Sequence, residues 1–165
     1  MDPASTAQLS SLLRDQRVAA LGTLRQGEPL VTLTLFLPAS GSPAFYILAS
    51  SLAYHTQDMQ ANPAISLMIA EPDLGRQDPQ TLARLSIRGT AEPIPHDAPE
   101  KPGIQASYLA RFPDSAPLFE FADFSLYLIR PQSARFVAGF GRAFNLTPDD
   151  LVRATSQPGG PRKRD

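Results

Sequence analysis

Apolar residues along this chain recur mostly at every second position, in short runs broken by proline and glycine, a period that marks strands rather than helices. Arg17 to Leu24 and Leu30 to Leu37 are two such runs, joined by Arg25-Gln26-Gly27-Glu28-Pro29, in which Gly27 can take a positive φ; together they predict a hairpin. In the second run Val31, Leu33, Leu35 and Leu37 share one face, which is expected to be core. Thr32, Thr34 and Phe36 share the other, a polar face with an aromatic end that a ligand or another subunit can use. Phe45 to Ala49, Ala64 to Ala70, Thr81 to Pro93, Phe124 to Ile129 and Ala134 to Phe140 continue the strand pattern. In the third of these, Leu82, Arg84, Ser86, Arg88 and Thr90 oppose Ala83, Leu85, Ile87, Gly89 and Ala91.

Helical spacing is confined to shorter stretches. Leu9, Leu12 and Leu13 follow Ser5 or Thr6 as cap, and Ser50 or Ser51 is expected to cap a helix of about three turns that Asn62-Pro63 stops. Ile104 to Phe112 and a turn or two in Ser115 to Phe121 are also helical, and Leu146 to Ala154 holds a last turn capped by Thr147 with Pro148 at its first position. About seven antiparallel strands with a few short helices predict a mainly β fold, a small barrel with helices at its periphery, since closing the sheet removes bare edges.

Composition narrows the chemistry. At 165 residues the chain fits one domain, read as residues 1–146, followed by a short helical turn and a disordered basic tail over 147–165. The absence of cysteine excludes disulfides, thiol nucleophiles and thiolate metal sites, and two histidines make a multi-histidine metal site within one chain an unexpected outcome. Fifteen basic against sixteen acidic residues leave a net charge of -1, which suggests neither a nucleic-acid nor a membrane-surface partner. No apolar run reaches the roughly 18 to 20 residues that span a bilayer, and residues 1–16 do not read as a signal peptide, so a cytoplasmic location is expected.

The chemistry-bearing residues gather at the strand-to-helix junction after Ala49. Ser50, Ser51, Tyr54, His55 and Thr56 lie beside unpaired backbone N–H groups and the positive end of a helix dipole, and a phosphate fits there. The plainer alternative is a capping serine and a solvated His55. Arg84 and Arg88 can serve a phosphate on the same face or be charges on the wet side of a strand. Tyr108 and Arg111, at i and i+3, can hold an anionic substrate or be a packed ring and a snorkelling cation. Gly139-Phe140-Gly141-Arg142 sets a ring between two flexible residues, a loop able to cover a planar ligand or simply a strand end.

The order of elements from about Leu9 to Ala143 resembles the FMN-binding split barrel of the pyridoxamine 5'-phosphate oxidase superfamily, with its HugZ-type haem-utilisation branch nearest. The segments that carry the likeness are Ser51-Leu52-Ala53-Tyr54-His55-Thr56, Ala61-Asn62-Pro63, Arg84-Leu85-Ser86-Ile87-Arg88-Gly89, Tyr108-Leu109-Ala110-Arg111-Phe112-Pro113 and Phe136-Val137-Ala138-Gly139-Phe140-Gly141-Arg142-Ala143.

The resemblance implies a homodimer with FMN in clefts between subunits. Thr32, Leu33, Thr34 and Phe36 would lie along the flavin, and Ser50, Ser51, His55 and Thr56 would hold its phosphate. Arg84 would reach it from its neighbouring strand, Gly139 and Phe140 would approach from the partner, and Tyr108 and Arg111 would stand near the substrate. Pyridoxamine phosphate oxidases carry an Arg-Lys pair where this chain has Tyr54-His55. The HugZ-type proteins have a further C-terminal segment with a haem-ligating histidine, whereas no histidine follows His96 here. The implied activity is that of a flavin-dependent oxidoreductase of unknown substrate, ahead of a non-enzymatic flavin- or haem-binding protein and of haem degradation.

Overall fold

A computed structural model describes residues 1–156; the basic tail expected beyond them lies outside the described residues. The first two strands, β1 (Val18–Arg25) and β2 (Glu28–Leu35), form the predicted hairpin. Its two-residue turn has both Gln26 and Gly27 at positive φ, the twist that matches flanking strands. Phe36 then leads into the two-residue β3 (Leu37–Pro38), followed by β4 (Phe45–Ser50), β5 (Ala64–Ala70), β6 (Arg84–Pro93), β7 (Phe124–Val137) and β8 (Ala143–Leu146). All pairings are antiparallel and the order is β2-β1-β5-β6-β7-β4-β3, with β8 beside β7. Because β3 continues β2 after Phe36, the sheet curls round to the continuation of its own first strand. The architecture is a split barrel.

Two details depart from the sequence pattern. The two expected strands at 124–129 and 134–140 are one continuous β7, carried past Pro131 by a register shift opposite Arg88 and Gly89. Gly89 permits this approach: a Cβ there would lie 2.1 Å from the Arg130 carbonyl oxygen. The short β8 is additional to the expected set.

Among the described residues four α-helices flank the barrel, α1 (Pro3–Asp15), α2 (Tyr54–Ala61), α3 (Lys101–Arg111) and α4 (Pro148–Ser156), with 3-10 turns at Pro79–Thr81 and Pro113–Glu120. Asp2, not Ser5 or Thr6, caps α1, accepting from the Ser5 N–H at 2.9 Å with Pro3 at the first position, as suits a residue without an N–H. Thr147 and Asp150 bond reciprocally at the start of α4, which extends two residues beyond the expected Ala154. Leu9, Leu12 and Leu13 of α1 and Leu151 and Ala154 of α4 join the main core, with Leu21, Phe36, Ile47, Leu67, Ile87 and Phe136 from the strands. A smaller cluster of Ile94, Ile104, Tyr108, Phe112 and Leu126 lies under α3. Among the described residues no helix is long and apolar enough to cross a membrane.

Candidate functional site

Helix α2 begins without a side-chain cap. Its cap residue is Ala53, and the two serines expected in that role close β4 instead: the Ser50 hydroxyl donates to Asp123 at 2.5 Å and accepts from the Leu52 N–H at 3.1 Å, while the Ser51 N–H donates to the Asp123 carbonyl at 2.7 Å. The helix is accordingly eight residues long, shorter than three turns. The N–H groups of Tyr54 and His55 have no acceptor among the described residues, as the first positions of an uncapped helix must.

The β1–β2 hairpin supplies the charge. Arg25, the last residue of β1, donates to Asp58 of α2 at 3.0 Å, and its guanidinium lies 3.7 Å from the centre of the Tyr54 ring. Asp58 is buried and also accepts from the Thr23 hydroxyl at 2.9 Å, so the carboxylate is satisfied and anchors the arginine. Thr32 on β2 meets His55 Nδ1 at 3.1 Å. Burial pulls the His55 pKa below its ordinary value and so favours the neutral ring, while the Asp58 carboxylate pulls the other way. Thr56 is turned inward, and its hydroxyl is closed to solvent with no partner among the described residues. The open end of α2 therefore presents two N–H groups with the His55 ring beside them, a set that can meet an anion, while Arg25 is paired with Asp58 one turn further on; Ser50 and Thr56 are otherwise placed.

The face assignment on β2 is the reverse of the sequence expectation. Thr34 and Phe36 are buried, and Val31 and Leu33 are 68% and 71% exposed. Cross-strand partners share a face, and Thr32 and Thr34 pair with the buried Leu21 and Ala19 of β1, which takes them inward. The outer face of the sheet consequently carries an apolar strip over β2 and β1, where Val31, Leu33, Val18 and the neighbouring Met68 are exposed, and turns polar toward Ser66, Ser86 and Arg88.

Arg84, Gly139 and Phe140 come together elsewhere. With Arg135 and Arg142 they line an open depression of about 810 Å³, Phe140 standing 82% exposed between two glycines at positive φ. Arg84 donates to the carbonyls of Gln80 and Leu82, and Arg142 reaches Asp2 and Ser5 at the start of α1. From Thr32 to the matching residue Ile87 on β6 there are three inter-strand spacings, about 14 Å, and Arg84 lies a further three residues along, about 10 Å. One chain does not bring Arg84 to His55.

Tyr108 and Arg111 have packing roles. Tyr108 is 1% exposed, its ring tilted against Phe112 and edge-on to Phe119, and burial raises its phenol to about 12. Arg111 donates to the carbonyls of Leu13 and Gln16, closing the C-terminus of α1, with its guanidinium 5.5 Å from the Phe36 ring. Tyr108 is thus engaged in packing, and Arg111 also borders open depressions on the surface. Arg25, Asp58, Thr23 and Asp123 are the residues that sequence reasoning missed; only Arg25 carried a signal, as a cation beside a hairpin turn.

The sequence profile of the pyridoxamine 5'-phosphate oxidase family matches residues 5–138. The chain is 26% identical over 158 residues to "Heme oxygenase HutZ" of Vibrio cholerae, covering 94% of this chain and 89% of that protein. It is 36% identical over 106 residues to the chloroplastic heme oxygenase HOZ of Arabidopsis thaliana, covering 64% of this chain and 30% of that longer protein. A heme binding protein from Mycobacterium smegmatis shares the fold, with a TM-score of 0.79 at 24% identity, over 92% of this chain and 61% of that one.

Proposed function

The chain belongs to the pyridoxamine 5'-phosphate oxidase family, on the HugZ-type side of it, and from that premise we propose that it binds FMN and acts as a flavin-dependent oxidoreductase. The observation that carries this reading is the uncapped start of α2, where the N–H groups of Tyr54 and His55 have no acceptor among the described residues, a feature that suits a phosphate. Bound FMN would supply the electron transfer, and the chain would supply binding, orientation and access. The apolar outer strip with Val31 and Leu33 supports a homodimer, because a strip of that kind gains by being covered. In such a dimer Arg84, Gly139 and Phe140 act on the partner's cofactor, which answers their distance from His55 within one chain.

The test is a titration of the purified chain with FMN followed by flavin fluorescence. Arg25→Ala and the double substitution of His55 and Arg84 by alanine should each weaken binding at least tenfold. Unchanged affinity in both would remove the site assignment. Turnover of a reduced nicotinamide with an electron acceptor, clearly above that of free FMN, separates an oxidoreductase from a binding protein.

A second reading is haem handling, favoured by the likeness to a Vibrio cholerae protein named as a heme oxygenase across 94% of this chain. A shifted Soret band on adding ferric haem would support it.

A further inference from the structure

Phe140 is 82% exposed, and its ring touches no other ring or cation among the described residues. It stands in the turn of residues 139–142 between β7 and β8, closed by the Arg142 N–H on the Gly139 carbonyl at 3.2 Å and by the Ala138 N–H on the Arg142 carbonyl at 2.8 Å. Gly139 and Gly141, on either side of the ring, take φ of 115° and 73°. Glycine backbone is the easiest to rotate, so the turn by itself sets the direction of the ring only loosely. Its surroundings add little bracing: a Cβ on Gly141 would meet nothing within 4 Å, and one on Gly139 only the Thr81 carbonyl at 3.5 Å.

One side chain of this turn reaches firm structure. Arg142 donates to both carboxylate oxygens of Asp2, at 3.2 and 3.3 Å, and to the Ser5 hydroxyl. Asp2 is at the same time the cap of α1, accepting from the Ser5 N–H at 2.9 Å and from the Ser5 hydroxyl at 2.7 Å. These two bonds from Ser5, with the Arg142 guanidinium added, hold its carboxyl well below the usual carboxylate range, so the anion persists at ordinary pH. The helix it caps is seated in the main core through Leu9, Leu12 and Leu13. The turn is thereby tied to a fixed element 140 positions away in sequence. Asp2 and Arg142 are 48% and 45% exposed, and a pair so solvated adds little to the stability of the whole fold. Its effect is local.

We infer that Arg142 is a positioning residue: by gripping Asp2 at the start of α1, it fixes the direction in which Phe140 is presented to the cofactor of the partner subunit. The cofactor half of this statement rests on the flavin and dimer reading above, whereas the grip on the ring belongs to the single chain.

The sequence has no tryptophan, so Phe140→Trp in the full chain places a single fluorescent reporter at the position of the ring. In the flavin-free protein, adding Arg142→Ala should lower the anisotropy of this reporter and raise its quenching by acrylamide about twofold, as nanosecond motion of the turn is released. Asp2→Ser keeps a capping oxygen but not the carboxylate, and should give the same change. Arg142→Lys should keep most of the restriction, and Asp2→Ser with Arg142→Ala should do no more than either alone. FMN titrations without the reporter test the second half. Arg142→Ala should weaken binding about threefold in the unsubstituted chain and leave it unchanged in a Phe140→Ala background, which a general structural effect would not reproduce. A reporter equally free before and after Arg142→Ala and Asp2→Ser would overturn the inference, as would a loss of FMN affinity that persists undiminished in Phe140→Ala. If FMN does not bind the unsubstituted chain, the flavin reading falls, and the reporter alone upholds or overturns the grip of Arg142 on the ring.

Discussion

The Arg25 guanidinium at the end of β1 donates at 3.0 Å to the carboxylate of Asp58, a residue 33 positions later on α2. The pair ties the hairpin to the helix whose open end forms the candidate anion site. Asp58 is 5% exposed and Arg25 about one-third exposed.

Removing Arg25 leaves a buried carboxylate with the Thr23 hydroxyl as its remaining side-chain partner. Arg25→Ala should therefore lower stability by about 2 kcal/mol, below the full cost of breaking a wholly buried pair because the arginine is partly solvated. Urea unfolding measures this loss. Arg25→Lys should recover part of it, since an ammonium can still meet Asp58 but cannot lie flat on Tyr54.

The reversed faces of β2 make opposite forecasts for adjacent residues. Leu33→Asp sits on the outer strip and should halve the size-exclusion mass while shifting monomer stability by no more than about 0.5 kcal/mol. Thr34→Asp places a carboxylate inside the barrel and should destabilise it by about 3 kcal/mol or more. A Leu33→Asp protein that keeps the mass of the unsubstituted chain would remove the dimer surface proposed here.

His55 should make stability depend on pH in one window. Its folded-state pKa lies below the unfolded value, so the unfolded chain binds the additional proton between the two. The contribution is fully present above about pH 6.5 and is lost as pH falls through the folded value. His55→Gln should flatten the denaturation midpoint across that window relative to the unsubstituted chain.

Tyr108 should be indispensable to packing and not to chemistry. Tyr108→Ala should cost about 3 to 5 kcal/mol, and Tyr108→Phe only about 1 kcal/mol with flavin affinity unchanged. An ultraviolet titration should find one phenol ionising near 12, well above the ordinary tyrosine value, and the Phe variant should lack it.

Much of the architecture was legible in sequence because it is local. The period of two located the long strands, the Gln26-Gly27 turn closed a hairpin, and the count of short antiparallel strands with few helices led to a barrel. The same local logic located the start of α2 and its neighbouring polar residues, though it misassigned the serines, which serve the strand end through Asp123.

By itself, then, the sequence determined where most of the strands run, how their residues alternate, and that a short helix starts among polar residues after the strand that ends near Ala49; that this helix start is uncapped and lies beside the hairpin came from the tertiary structure. Only the tertiary structure decided which side of each strand is inside. Alternation defines two faces but not their direction; on β2 the leucines look like core, yet pairing with Leu21 and Ala19 turned the threonines inward and left Val31 and Leu33 exposed. The Arg25–Asp58 pair, the burial of Tyr108 and the separation of Arg84 from His55 are of the same kind. Each depends on contacts between segments far apart in the chain, and no local spacing encodes the strand order that brings such segments together or holds them apart.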